Sequence, residues 1–202
     1  RDLALQNLQT YEGEKHNDAL YNILKEMAFT EEKSTVRAEA LYMLSEKYAN
    51  KSTQAFEENI KHKSYSVSAE ALNGYLKSGG GSKDLYLDEY INSDKQPYIS
   101  VISDYLANNP KKENLMWFEN RLEPGNEIGY DFLMNYASFL QNIEDVEIET
   151  KGIENSKNIA LREDLPFWSK LGAFQALMTF EKNKVADAAM MEIKEKETNE
   201  RL

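Results

Sequence analysis

The chain has 202 residues, 41% hydrophobic and 29% charged, a balance that argues against disorder and is enough to build a core. Its net charge is −11 at pH 7, with 24 Lys and Arg scattered among 35 Asp and Glu, so nucleic acid and anionic lipid are not expected partners. Cysteine is absent, which excludes disulfides, thiolate metal sites and cysteine nucleophiles.

In chain order, a phrase appears first: a basic or polar residue, two spacers, Ala, a large apolar residue, two spacers, another apolar residue. It begins as Arg1-x-x-Ala4-Leu5-x-x-Leu8. Because the chain starts inside this phrase, it is expected to be a piece of a longer protein. A helix over Asn17–Phe29 follows, with Leu20, Ile23, Leu24 and Met27 on one stripe. Val36–Tyr48 is a second helix and carries the phrase again, as Arg37-x-x-Ala40-Leu41-x-x-Leu44. Thr53–His62 is a short helix with Phe56 and Ile60 inward. Ser66 is the expected N-cap of a helix over Val67–Leu76, which holds the third copy, Ser68-x-x-Ala71-Leu72-x-x-Tyr75. Lys77–Gly81 is a loop, and Asp84–Ile91 and Tyr98–Asn108 form another short-then-long pair. This last helix keeps its period through Val101, Ile102, Tyr105 and Leu106 but loses the Ala. Pro97, Pro110 and Pro166 suit first turns of helices, where a missing N–H costs nothing. Glu123-Pro124-Gly125-Asn126 is a second loop. The stretch Glu144–Asp164 is acidic. Within it, Val146–Thr150 alternates like a strand but has no partner, so a loop leading into a helix over about Gly152–Leu161 is expected. The fourth phrase is Lys170-x-x-Ala173-Phe174-x-x-Leu177.

The Val36 and Val67 copies lie 67 − 36 = 31 residues apart, and the Arg1 and Arg37 copies 37 − 1 = 36 apart. Helix pairs at such a period predict an all-α protein, an α-solenoid of antiparallel pairs spanning 1–202 as one repeat domain. The small Ala lets a neighbouring helix approach while Leu and Val fill the groove beside it. The Trp, Gly-Tyr and Pro landmarks of tetratricopeptide repeats are missing, as is the ankyrin phrase Thr-Pro-Leu-His. The opening Val36-Arg37-x-x-Ala40-Leu41 resembles HEAT repeats.

Chemistry is hard to find. His16 and His62 are the only histidines, and neither sits in His-Glu-x-x-His, so a helical zinc site cannot form and both read as surface groups. Gly79-Gly80-Gly81-Ser82-Lys83 lacks the spacing and the preceding strand of a phosphate loop and reads as a flexible turn. Neighbouring pairs such as Glu31-Glu32 and Glu57-Glu58 do not converge as general acid–base catalysis requires and read as solvated faces. Tyr42, Tyr48, Tyr75, Tyr86, Tyr90 and Tyr105 fall mostly on helix faces. They read either as packing between repeats or as an aromatic concave surface for a peptide or partner domain. No residue of this chain is therefore assigned as catalytic, cofactor-binding or metal-binding. No apolar run reaches the roughly 18 residues of a membrane span, and no signal-peptide pattern is visible.

Later segments carry a second resemblance. Leu115-Met116-Trp117-Phe118-Glu119, Gly129–Leu140, Lys151-Gly152-Ile153-Glu154 and Phe167–Leu177 follow HEAT-like units in this order. The succession resembles the C-terminal helical region of bacterial aminopeptidase-N-like zinc metallopeptidases, the gluzincin aminopeptidases, over essentially the whole chain. In that family the zinc motif His-Glu-x-x-His, its Glu ligand and the Gly-x-Met-Glu-Asn motif lie in an upstream catalytic domain, and none occurs here. The resemblance implies a non-catalytic domain that packs on the catalytic domain of the same polypeptide and limits access to its active-site chamber. Zinc is expected only in that upstream domain, and peptide substrate is an expected contact at the concave face. An exported or periplasmic parent protein is favoured. The alternative is a HEAT-repeat interaction scaffold with no peptidase in the parent.

Overall fold

The structure is a computed structural model that describes residues 17–79, 81 and 83–196. Among the described residues the chain is all-helical, with eleven α-helices and no strand. The first phrase, with Leu5 and Leu8, and His16 lie outside the described residues. The helices are α1 (Asn17–Thr30), α2 (Ser34–Tyr48), α3 (Thr53–Asn59), α4 (Tyr65–Lys77), α5 (Lys83–Tyr90) and α6 (Gln96–Asn108), then α7 (Leu115–Leu122), α8 (Tyr130–Asn142), α9 (Val146–Leu161), α10 (Phe167–Met178) and α11 (Lys184–Lys196). None is long and apolar enough to cross a membrane. The chain divides into two compact units, Arg1–Ile102 and Ser103–Leu202, with the boundary inside α6.

In the first unit, α2 packs along α1 and most heavily along α4, while α3 packs on α4 and α1. Helices two apart in the chain are thus neighbours, α1 with α3 and α2 with α4. Phrase residues account for this contact. Ala40 and Ala71 have no exposed surface, nor have Leu41, Leu44 and Leu72 beside them. Burying each such Leu contributes roughly 1.5–3 kcal/mol relative to leaving it exposed. Gly74 makes closer contact still: a Cβ there would lie 2.2 Å from the Phe56 ring, so only glycine lets α3 seat its fully buried phenyl ring against α4.

Polar groups repeat at one interval in this unit. Tyr48 Oη donates to Asn17, Asn59 Nδ2 to the Ala28 carbonyl (3.1 Å), Lys77 Nζ to Glu46 (2.5 Å) and the Gly79 N–H to Asn50 Oδ1 (2.9 Å). Tyr90 Oη donates to the Ile60 carbonyl and Tyr98 Oη to Ser68 Oγ, both at 2.9 Å. These six ties join residues 29 to 31 positions apart, the interval of the Val36 and Val67 copies.

The second unit has the same alternation. α8 packs on α10, and α9 packs on both α10 and α11. Its core is aromatic: Phe118 lies 4.8 Å from Phe139, 5.5 Å from Tyr136 and 5.6 Å from Phe132, centroid to centroid. Tilted ring pairs of this kind add about 0.5–1.5 kcal/mol each beyond area burial. Lys112–Asp145, Glu119–Lys151, Ser103–Asn135, Ala107–Asn142, Glu149–Asn183 and Lys157–Glu192 tie residues 32 to 35 positions apart.

Several sequence expectations need correction. Val146–Thr150 is neither strand nor loop; it is the first part of α9, which begins about six residues earlier than expected. Asp145 starts it: its carboxylate accepts the Glu147 and Ile148 N–H groups, two of the donors a helix start leaves free. Ser66 is not a cap but lies inside α4, which begins at Tyr65 after Ser64. The N–H of Ser64 donates to His62 Nδ1, so the histidine shapes this entry. α3 ends at Asn59, before His62. Pro110 precedes a 3-10 turn at Lys112–Asn114 and is not in a helical first turn.

Candidate interaction surface

The polar residues that could carry chemistry are engaged in structure. His62 is half-buried; desolvation and its neighbours Arg37 and Lys63 push its imidazole below the ordinary value, while Nδ1 accepts the Ser64 N–H. Gly81 has φ +73°, and a Cβ there would collide with the Tyr75 hydroxyl, so the turn requires its glycine. Glu31 accepts the Lys33 N–H and Glu58 accepts from Gln54, so both carboxylates serve their own helix ends and turns. No group of three or more His, Asp or Glu residues among the described residues could hold a metal ion.

Arg37 and Ser68 begin successive phrases and act alike. Arg37 Nε donates to Asn59 Oδ1 (2.8 Å), and Ser68 Oγ donates to the Ile60 carbonyl. Asn59 has no exposed surface and also donates to the Ala28 and Ala55 carbonyls. Both phrase heads thus reach the C-terminal end of α3: Arg37, from the helix before it, holds the Asn59 side chain, and Ser68, from the helix after it, satisfies a terminal carbonyl. Sequence reading missed this buried asparagine.

Most tyrosines are packing groups. Tyr48 and Tyr75 are buried, Tyr75 meets Tyr86 edge-on at 4.7 Å, and Tyr90 stacks on Tyr98 at 4.7 Å. Tyr42 is the exposed one of the six singled out in the sequence. In the second unit a cleft of about 280 Å³ lies between α7 and α9, lined by Glu119, Lys151, Asn155 and Arg162. Among its charges, Lys151 pairs with Glu119 at 2.7 Å and Arg162 with Asp164 at 2.6 Å. At its base Asn155 Nδ2 donates to Tyr136 Oη (3.2 Å), whose pKa burial pushes up to about 12. A phenol so held stays protonated and neutral through the physiological range.

One surface departs from this pattern. α10 turns its small residues inward: Ser169, Gly172, Ala173 and Ala176 are buried, with Leu177. Its opposite side carries Phe167, Leu171, Phe174 and Met178 at spacings of four, three and four. The first three are half-buried and Met178 is 57% exposed, with Trp168 beside the stripe at 67%. Close approach explains the small inner face, because a Cβ on Gly172 would sit 3.1 Å from the Tyr130 backbone and 3.3 Å from Leu133. Tyr130 Oη also donates to Gln175, and Gln141 Nε2 to the Thr179 carbonyl (2.9 Å), fixing α10 on α8. Trp168 and Met178 are thus the exposed large apolar groups of this helix, while Phe167, Leu171 and Phe174 are partly covered.

No protein-family model, curated protein or solved structure matches the chain. The α10 stripe was legible in principle, since residues 167, 171, 174 and 178 follow helical spacing. It was obscured because Phe174 also belongs to the fourth phrase, whose equivalent residues Leu41 and Leu72 are fully buried.

Proposed function

We propose that this chain is a non-catalytic, HEAT-like helical-repeat module, an α-solenoid segment that works through protein contact. What supports the reading is a recurring interval among its polar ties: six in the first unit join residues 29 to 31 apart, and six in the second join residues 32 to 35 apart. Side chains held that way stack one repeat on the next.

The resemblance supplies the finer version. In it the module is the C-terminal helical domain of a zinc aminopeptidase, packed on the catalytic domain of the same polypeptide and narrowing access to the chamber. Zinc belongs to that domain and not to this one. Reading the coding sequence upstream of Arg1 tests this. A His-Glu-x-x-His motif within a few hundred residues is expected; further repeats without it would remove the peptidase version. The purified chain should not hydrolyse an aminoacyl reporter, and chelator-insensitive hydrolysis would overturn the module reading itself.

The second reading is a repeat scaffold with no peptidase in its parent. The outward apolar stripe of α10 favours it, since a contact surface needs no catalytic neighbour.

A further inference from the structure

We propose that the third helix pair, α5 with α6, is a built-in break in cooperativity, across which the two compact units fold and unfold independently. The proposal rests on the helical-repeat reading and adds a conformational device to it.

Register shows the break. α6 has the length of α4, 13 residues, and starts 96 − 65 = 31 positions later. The same step separates Ala40 from Ala71 and Leu41 from Leu72, and it carries that pair on to Ile102 and Ser103. In α2 and α4 the Ala lets a neighbouring helix approach and the Leu fills the groove beside it, and none of these four residues has exposed surface. In α6 the sizes are exchanged. A branched isoleucine stands where close approach needs a methyl group, and a serine stands where the groove needs a leucine. Ile102 is 1% exposed and Ser103 has no exposed surface, so both are interior positions. Ser103 Oγ accepts from Asn135 Nδ2 of α8 (2.9 Å). α6 therefore cannot repeat the packing of α2 with α4.

Further observations fall at the same place. The division into compact units lies between Ile102 and Ser103, the two exchanged residues. Polar ties follow that division: Tyr98 Oη, early in α6, donates to Ser68 in the first unit, whereas Ser103 Oγ and the Ala107 carbonyl, later in α6, accept from Asn135 and Asn142 in the second. α5, the partner of α6 in this pair, is the one α-helix among the described residues that buries none of its own. In a stacked array, stability is a sum of repeat terms and nearest-neighbour terms, so a repeat poor in both uncouples what lies on either side.

The chain supplies its own probes. Both of its tryptophans, Trp117 and Trp168, belong to the second unit, so tryptophan fluorescence follows that unit alone while helical circular dichroism follows both. The test is urea unfolding of the full 202-residue chain and of Leu41→Ala, which truncates a fully buried side chain of the first unit. In the variant the first-unit part of the dichroism transition should move to lower urea by about 1 M or more, while the fluorescence midpoint stays at its wild-type value. A fluorescence midpoint that moves with the dichroism overturns the proposal, even where the two units share a midpoint in the wild type. If Leu41→Ala leaves the first unit unfolded, native tryptophan emission with a reduced helical signal supports the proposal, and denatured emission overturns it. Hydrogen exchange locates the break. Amides of α5 should exchange about tenfold or more faster than those of α4, and in Leu41→Ala protection should fall up to Ile102 and persist beyond Ser103. Equal protection of α5 and α4, or a break at another helix, overturns the assignment to the third pair. Joint unfolding of the two units would sink this proposal and leave the contact-module reading standing, since that reading fails on hydrolysis of the aminoacyl reporter.

Discussion

Helices α2 and α4 of the first unit and α10 of the second differ in what their outer sides carry. In the first unit, the outer sides of α2 and α4 carry Glu39, Tyr42, Glu46, Glu70, Asn73 and Lys77, with Lys77 paired to Glu46 at 2.5 Å. In the second, the outer side of α10 carries Phe167, Leu171, Phe174 and Met178. The inner sides differ in bulk: α2 and α4 bury Leu41, Leu44 and Leu72 beside Ala40, Ala71 and Gly74, whereas α10 buries Ser169, Gly172, Ala173 and Ala176 with Leu177 as its one large residue. A helix that must lie close to its neighbour takes small residues inward, and its large apolar residues are then free to serve another surface. The same phrase can therefore stack a repeat or present one, depending on which side holds the bulk.

Truncating the large phrase residue gives the greatest expected separation between the units. Leu41→Ala and Leu72→Ala each remove a fully buried side chain and should cost about 2–5 kcal/mol. Phe174→Ala removes a half-buried one and should cost distinctly less. Equal losses of Tm in the three variants would break the comparison.

Filling the small position is next. Ala40 has no exposed surface, and Ala40→Phe should overpack the α2–α4 contact at a cost of roughly 1–3 kcal/mol. Ala173 is as deeply buried, so Ala173→Phe should behave alike. An unchanged melt for Ala40→Phe would count against stacking through the phrase.

How far the sequence discloses this molecule depends on where each signal sits. The phrase and its interval were legible because a buried face imposes its period on residues 36–48 and 67–76. The start of α9 was not, because Val146, Ile148 and the acidic residues between them alternate as a strand would. The decisive signal was local: Asp145 before a run with Glu147 and Glu149 in its first turn, favourable at the positive end of a helix. The α4 entry differed as well: the cap was expected at Ser66, whereas the helix begins after Ser64, whose N–H donates to His62 Nδ1. The α10 stripe follows helical spacing in the sequence, but Phe174 also belongs to the fourth phrase, and the close approach of Gly172 to Tyr130 and Leu133 is what sets the inner face.

The Asp145 cap yields a smaller effect, confined to the second unit. A hydrogen bond from Lys112 (2.5 Å) and the two helix N–H groups hold its carboxyl below the ordinary carboxylate range. A lowered folded pKa stabilises the fold above the unfolded value and loses that stabilisation as pH falls through the folded one. Asp145→Ala should thus lower Tm at neutral pH, with the gap to the wild type closing under acid. A gap constant with pH would mean that the charge is not what holds α9.

Glu70 gives the reverse pH trend in the first unit and the smallest change. Burial raises its carboxyl above the ordinary value; Glu39 and Glu46 push the same way, while a hydrogen bond from Asn73 (3.3 Å) and the charge of Lys77 oppose them. The fold therefore disfavours the charged form. The penalty is fully present above the folded pKa and is relieved as pH falls toward the ordinary value of 4.5. Glu70→Gln should raise Tm slightly at pH 7, and the advantage should shrink as the medium is acidified, opposite in sign to Asp145→Ala. No such residue exists on the outer side of α10, whose sequence holds no carboxylate. An acid titration of Tm that moved Glu70→Gln and wild type in parallel would show that the α2–α4 face does not strain its charges, and the electrostatic half of the contrast between the units would fall.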